Sequence, residues 1–266
     1  MIAGKKISGC VQVSNPKTLE FPFIECIKSL LPIVDELIIV NGDKCTDIYR
    51  SEVSNLLNES GLGYDDKIKI LHLPWSENGK KNMYMVFRSA GIFNCTGDYI
   101  LPLDADEVLH EKDYSKIEEA VKLGYDAYAF RVLHFYRDYM HIKNSDYWYK
   151  YRPYLFKNGL GIFDGYRSDI IDGKLVTELY SDYVTFDYKA VMPFAKKTSI
   201  EVFHYGYVRS EKCMLDKYNN MELKWHPNRE TLKTKWEWDM KDTEEYIKSH
   251  PEVMKDRINL FNNKEK

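Results

Sequence analysis

The feature that most constrains this chain is the alternation of strand-like and helix-like apolar patterns over its first 110 residues. Ile7 to Val13 reads as a strand broken by Ser14-Asn15-Pro16, and Phe23, Ile24, Ile27, Leu30 and Leu31 then recur at helical spacing up to Pro32. Glu36 to Val40 is a second strand, Val53, Leu56 and Leu57 mark a second helix, and Lys67 to Leu73 a third strand. A longer helical stretch from Asn82 to Cys95 precedes Thr96-Gly97 and a fourth strand, Asp98 to Leu103. Strands separated by helices can pair only through crossovers, so the pattern predicts an α/β fold whose mostly parallel central sheet carries helices on both faces. In such sheets ligands sit beyond the carboxyl ends of the strands. Those ends hold Ser14-Asn15, Asn41-Gly42-Asp43, Pro74-Trp75-Ser76 and Asp104-Ala105-Asp106.

After about residue 125 the pattern changes. From Tyr125 to Tyr207, 22 of 83 residues are aromatic against 38 of 266 in the whole chain, which favours strands and a groove lined with rings. Beyond Ser210 the sequence turns charged and helical. Lys plus Arg (38) nearly balances Asp plus Glu (41), so the chain lacks the basic footprint of a nucleic-acid binder. No apolar run approaches the ~20 residues of a membrane span, and Met1 to Ile7 contains no signal-like apolar stretch. Five cysteines without a CxxC pair fit buried thiols of a reducing compartment, so the expected location is cytoplasmic.

Asp104-Ala105-Asp106-Glu107 follows directly on an apolar strand. Carboxylates at i and i+2 of a strand point the same way, and a divalent cation relieves their repulsion. A polar turn capping the next segment is the alternative. The run Ile100 to Val108 also resembles the first motif of haloacid-dehalogenase-type phosphatases, in which Asp104 would be the nucleophile. Such enzymes carry an acidic GDxxxD pattern downstream of that motif, and none follows Asp104 here.

Taken together these segments resemble family 2 glycosyltransferases, inverting enzymes of GT-A-type fold that use nucleotide-sugar donors. The resemblance runs through Val34 to Asp43, through Arg88, Thr96-Gly97-Asp98-Tyr99-Ile100 and Asp104-Ala105-Asp106, and through Tyr154 to Gly159 followed by Phe163 to Asp169. It extends to Phe203-His204-Tyr205-Gly206-Tyr207-Val208-Arg209, which is similar to an "HYGY" element of some members. The resemblance implies that Ser14, Asn41, Asp43, Lys81, Arg88 and Asp104 face the donor, a UDP- or GDP-sugar. It implies that Asp106, with Asp104 and His204, binds a divalent metal (Mn²⁺ or Mg²⁺) at the diphosphate. It places the catalytic base at Asp169, with Asp172 and Glu178 as competitors.

Glycosyl transfer needs a cation for the departing diphosphate, a base for the acceptor hydroxyl and a site closed to water. The expected organisation is a GT-A-like domain over 1–210, with a nucleotide-sugar half (1–110) and an acceptor half (111–210), followed by a helical extension over 211–266. The acceptor is a glycan or another hydroxyl compound. A non-catalytic nucleotide- or sugar-binding protein of the same fold is the other reading, carried by Asn41, Ser89 and Ser168 where the family commonly has other residues.

Overall fold

The computed structural model describes residues 1–43, 51–73, 83–145, 148–160, 162–163, 166–171, 174–179, 195–225 and 232–264. Its first half is built from strands β1 (Ile7–Val13), β2 (Glu36–Asn41), β3 (Ile68–His72) and β4 (Tyr99–Asp104) with helices α1 (Phe23–Leu30), α2 (Glu52–Glu59) and α3 (Met83–Phe93). The four strands run parallel in the order β4-β1-β2-β3. Every element falls within a few residues of the span its periodicity predicts. The physical reason is two-sided burial. One face of β1 and β2 packs Val11, Val13, Leu37 and Ile39 under Phe23, Cys26, Ile27 and Leu30 of α1. The other packs Cys10, Ile38 and Val40 under Phe87 and Ile92 of α3. Each such side chain contributes about 1.5–3 kcal/mol when fully buried.

At the amino-terminal edge of this sheet one carboxylate ties four segments together. Glu36 Oε1 accepts from Ser8 Oγ (2.6 Å), Thr96 N (2.7 Å) and Thr96 Oγ1 (2.7 Å), while Oε2 lies 2.8 Å from Lys69 Nζ. Gly97 N donates to Ser8 Oγ at 2.7 Å. A Cβ on Gly97 would lie 2.8 Å from the Lys6 carbonyl oxygen, so the turn into β4 takes glycine.

The second half continues the same sheet. It comprises β5 (Glu107–Leu109), α4 (Tyr114–Leu123), β6 (Ala127–Tyr136), β7 (His141–Lys143), β8 (Tyr151–Lys157), β9 (Ile162–Phe163), β10 (Tyr166–Ile171), β11 (Lys174–Leu179), β12 (Lys196–Tyr207), α5 (Glu211–Trp225), β13 (Thr243–Glu245) and α6 (Lys255–Lys264). The ladder reads β13-β7-β6-β8-β4-β1-β2-β3, with β8 antiparallel to both β4 and β6. Strand β12 runs parallel to β6 and antiparallel to β5. Strands β9, β10 and β11 form a separate antiparallel sheet.

The stretch after Ser210 holds two helices, as its composition suggests, but it also supplies β13, which pairs antiparallel with β7. Tyr246 and Met254 enter a core with Phe135, Tyr139, Phe203 and Tyr205. Much of the aromatic excess is therefore packing. Phe135 stacks on Phe203 (5.7 Å between centroids) and on Tyr205 (4.8 Å). Cys10, Cys26, Cys95 and Cys213 are free and buried. Among the described residues no helix is long and apolar enough to cross a membrane.

Candidate active site

Strand alternation decides which side chains reach the site. On β6 the odd residues Leu133 and Phe135 enter the aromatic core, so His134 and Tyr136 point to the opposite face. The same rule on β12 buries Phe203 and Tyr205 and turns His204 the other way. Register sets His134 beside His204 and His204 opposite Glu107.

The two aspartates of the Asp104-Ala105-Asp106 motif take different partners. Asp104 ends β4, and its Oδ1 accepts from Arg88 and from Gln12 Nε2 (3.1 Å). Its Oδ2 accepts from Arg152 Nη1 at 2.7 Å. Arg152 also reaches Glu107 Oε1 (3.1 Å), and that fully buried carboxylate accepts from Tyr154 Oη and from Asp104 N (2.8 Å) as well. The repulsion expected between the paired carboxylates is thus relieved at Asp104 by two buried guanidiniums. Both oxygens of Asp104, the nucleophile a phosphatase would require, are held in hydrogen bonds.

Asp106 lies in the turn between β4 and β5, fixed by Tyr205 N donating to its carbonyl at 2.8 Å. Its Oδ2 accepts from Arg209 Nη2 (3.0 Å) and lies 3.7 Å from His204 Nε2. Gly206 makes this approach possible. A Cβ there would sit 2.6 Å from both Asp106 Oδ2 and His204 Nε2. The glycine leaves an opening of atomic size bordered by a carboxylate oxygen and an imidazole nitrogen, and both are ligands for Mn²⁺-type cations. Among the described residues no group of three or more His, Cys, Asp or Glu forms a metal cage. A site with two protein donors takes its remaining ligands from phosphate oxygens and water. By this test Asp106 and His204 fit a divalent ion, while Asp104 serves the arginines.

Charge around this opening is tuned by burial. Burial, then the neighbouring His134 and Lys217, hold the His204 imidazole well below its ordinary range. Burial likewise lowers His134 to about 4. Lys217 of α5 donates to the Gly206 carbonyl at 3.1 Å and lies over the Tyr207 ring, and burial followed by the Arg209 charge lowers its ammonium to about 8. Beside the two histidines stands a wall of rings. Trp148 lies 4.5 Å from Tyr207 and 4.8 Å from His134 between centroids, and Tyr136 packs on Trp238 at 5.1 Å.

The remaining residues named from sequence divide by location. Ser14, Asn41 and Asp43 meet at the carboxyl ends of β1 and β2. Asp43 Oδ1 accepts from Asn15 N (2.5 Å), Asp43 N donates to Asn41 Oδ1 (2.8 Å), and Ser14 Oγ donates to the Gly42 carbonyl (3.2 Å). They form a brace whose buried Asn41 Nδ2 has no hydrogen-bond partner among the described residues. Arg88 joins Asp104 as described. Asp169 lies on β10, its backbone opposite Val176, and Glu178 lies on β11 opposite Arg167. Lys81 and Asp172 fall outside the described residues. Four residues with direct contacts here were not singled out from sequence: Arg152, Arg209, Lys217 and His134. Arg152 and Tyr154 share one face of a strand by their i, i+2 spacing, and Arg209 closes the segment that begins at Phe203; both are local signals.

The family model of glycosyl transferase family 2 matches residues 22–173, more than half of the chain. The chain belongs to glycosyl transferase family 2, and its fold is of the GT-A type. No curated protein matches it. Among solved structures it is similar to 4-diphosphocytidyl-2C-methyl-D-erythritol synthase from Anaerococcus prevotii, at 14% identity and a TM-score of 0.42, over 79% of this chain and 92% of that one. It is also similar to S. aureus TarS, at 12% identity and a TM-score of 0.43, over 82% of this chain. The alignment spans 39% of the TarS chain.

Proposed function

We propose that the chain is an inverting, metal-assisted glycosyltransferase that moves a sugar from a UDP- or GDP-sugar to a hydroxyl acceptor. The observation that carries this reading is the meeting of Asp106, inside the family-matched stretch, with His204 across Gly206 at the carboxyl end of a parallel sheet. Asp106 and His204 would hold the divalent ion, which when bound neutralises charge developing on the departing diphosphate. Arg209 and Lys217 add fixed positive charge on the same side. Arg88 and Arg152, pinned by Asp104, stiffen the floor beneath the donor. The rings of Trp148, Tyr207, Tyr136 and Trp238 are suited to stack on a sugar and keep water out. Asp169 takes the acceptor proton.

The test is release of nucleoside diphosphate from a panel of UDP- and GDP-sugars, with Mn²⁺ or with EDTA. Metal-dependent release that Asp106→Asn abolishes is the expected result. Retained nucleotide binding with no turnover on any donor and a panel of glycan acceptors would instead favour a non-catalytic binding protein.

A further inference from the structure

The pairing of two histidines fixes more than position. His134 Nε2 lies 2.9 Å from the Tyr149 carbonyl oxygen, and its Nδ1 lies 2.9 Å from His204 Nδ1. A carbonyl only accepts, so His134 Nε2 carries a proton. His134 is buried between the rings of Trp148 and Tyr149 and, among the described residues, makes no hydrogen bond or ion pair with a carboxylate; a second proton there would leave a buried charge without a counter-ion among them. Its Nδ1 therefore presents a lone pair, and the proton in the short Nδ1–Nδ1 contact belongs to His204. A neutral His204 protonated at Nδ1 has its own lone pair at Nε2, the atom 3.7 Å from Asp106 Oδ2. Asp106 Oδ2 accepts from Arg209 Nη2 on one side. On the other, it and the bare Nε2 are two acceptors facing each other across the Gly206 opening, an arrangement suited to a cation.

We propose that His134 is a positioning residue that locks His204 in the Nδ1–H tautomer, turning Nε2 into a cation ligand opposite Asp106. The direction of the relay runs from the Tyr149 carbonyl through His134 to His204 and ends in the opening. Only the last link, the cation, rests on the metal-assisted reading above. Outer hydrogen-bond partners of metal-binding histidines typically change affinity 10–100-fold when removed.

Nitrogen-15 NMR of the metal-free, full-length protein tests the relay without turnover, with the ring signals assigned by their loss in single variants. The expected wild-type pattern is a protonated Nδ1 and a bare Nε2 on His204, with the reverse on His134. In His134→Phe the acceptor is gone, so His204 should lose its single tautomer and the Kd for Mn²⁺, read by electron paramagnetic resonance, should rise about 10–100-fold. His134→Gln offers an amide oxygen to His204 and an amide N–H to the Tyr149 carbonyl, and it should restore both readouts. A protonated Nε2 on wild-type His204, or unchanged Mn²⁺ affinity in His134→Phe, overturns the proposal. The wild-type spectrum decides alone where the Phe variant does not fold. The expected tautomers in a protein that binds no Mn²⁺ would support the relay and refute the metal reading of Asp106.

Discussion

Asp104→Asn and Asp106→Asn should fail in opposite ways, although the two residues share one motif. Asp104 receives three donors on two oxygens, two of them from Arg88 and Arg152, which are buried. An asparagine can satisfy one side and turns its NH₂ against a guanidinium on the other. Losing a charge-assisted hydrogen bond costs about 1.5–3 kcal/mol, and the upper end applies because both guanidiniums are buried. Asp104 keeps 29% side-chain exposure, so water discounts the Coulomb part and about 3 kcal/mol is the working figure. At ~2–4 °C per kcal/mol for a domain of this size, Tm falls by roughly 6–12 °C. Asp106 receives one side-chain donor, Arg209, which an amide oxygen still accepts, and Arg209 keeps its place over the Phe21 ring. Asp106→Asn removes the charge beside buried Arg209 but keeps its hydrogen bond, so it should cost about 1.5 kcal/mol, the low end for a charge-assisted bond, while abolishing Mn²⁺-dependent donor turnover. Differential scanning fluorimetry and Mn²⁺ titration on the same samples read both effects. Equal losses of Tm, or a larger loss in Asp106→Asn, would refute the division of labour.

Three further outcomes are expected. Gly206→Ala places a methyl 2.6 Å from Asp106 Oδ2 and His204 Nε2, so Mn²⁺ affinity should drop at least about tenfold, as it does when a ligand shell is disturbed, and calorimetric titration measures it. Asp169→Asn should lower kcat by about 10²–10⁴ with donor affinity nearly unchanged; a variant keeping more than about a tenth of wild-type kcat moves the base to Asp172 or Glu178. Burial of Glu36 would raise its pKa, but hydrogen bonds from Lys69, Ser8 and Thr96 outweigh it and hold the carboxyl below its usual range. Its contribution is therefore full above pH ~4.3 and is lost as pH falls toward the lower folded-state value. Urea unfolding should show Glu36→Gln less stable by about 1.5–3 kcal/mol at pH 7, with the gap closing below about pH 4.

What the sequence discloses follows from the range of each interaction. The first four strands and three helices are legible because Val11, Leu37, Ile39 and the α1 stripe carry their burial in local period. Asp104 and Asp106 are legible as a motif but not as a pair with separate duties, because their partners Arg152 and Arg209 arrive 48 and 103 residues later. His134 sits in an apolar strand with no neighbouring carboxylate, so nothing local distinguishes it. Its role exists only through the parallel pairing of β6 with β12, a register formed across some seventy residues. The rings of the second half announce an aromatic region, yet only tertiary structure separates the core set around Phe135 from the wall around Trp148.

The ion pair between Arg257 Nε and Glu25 Oε1, at 2.9 Å, joins positions 232 residues apart, and Arg257 also donates to the Phe21 carbonyl at 3.0 Å. Closing a loop of that length carries an entropy cost near (3/2)RT ln n, about 5 kcal/mol against about 2 for a ten-residue loop. Such a contact forms late, after the shorter-range sheet has repaid part of its own ordering. At synthesis rates of ~5–20 residues per second, α1 leaves the ribosome roughly 10–45 s before Arg257 does. For that interval the parallel sheet can assemble while the outer side of α1 waits for its partner, a period in which a nascent-chain chaperone would find Phe21 and its neighbours accessible.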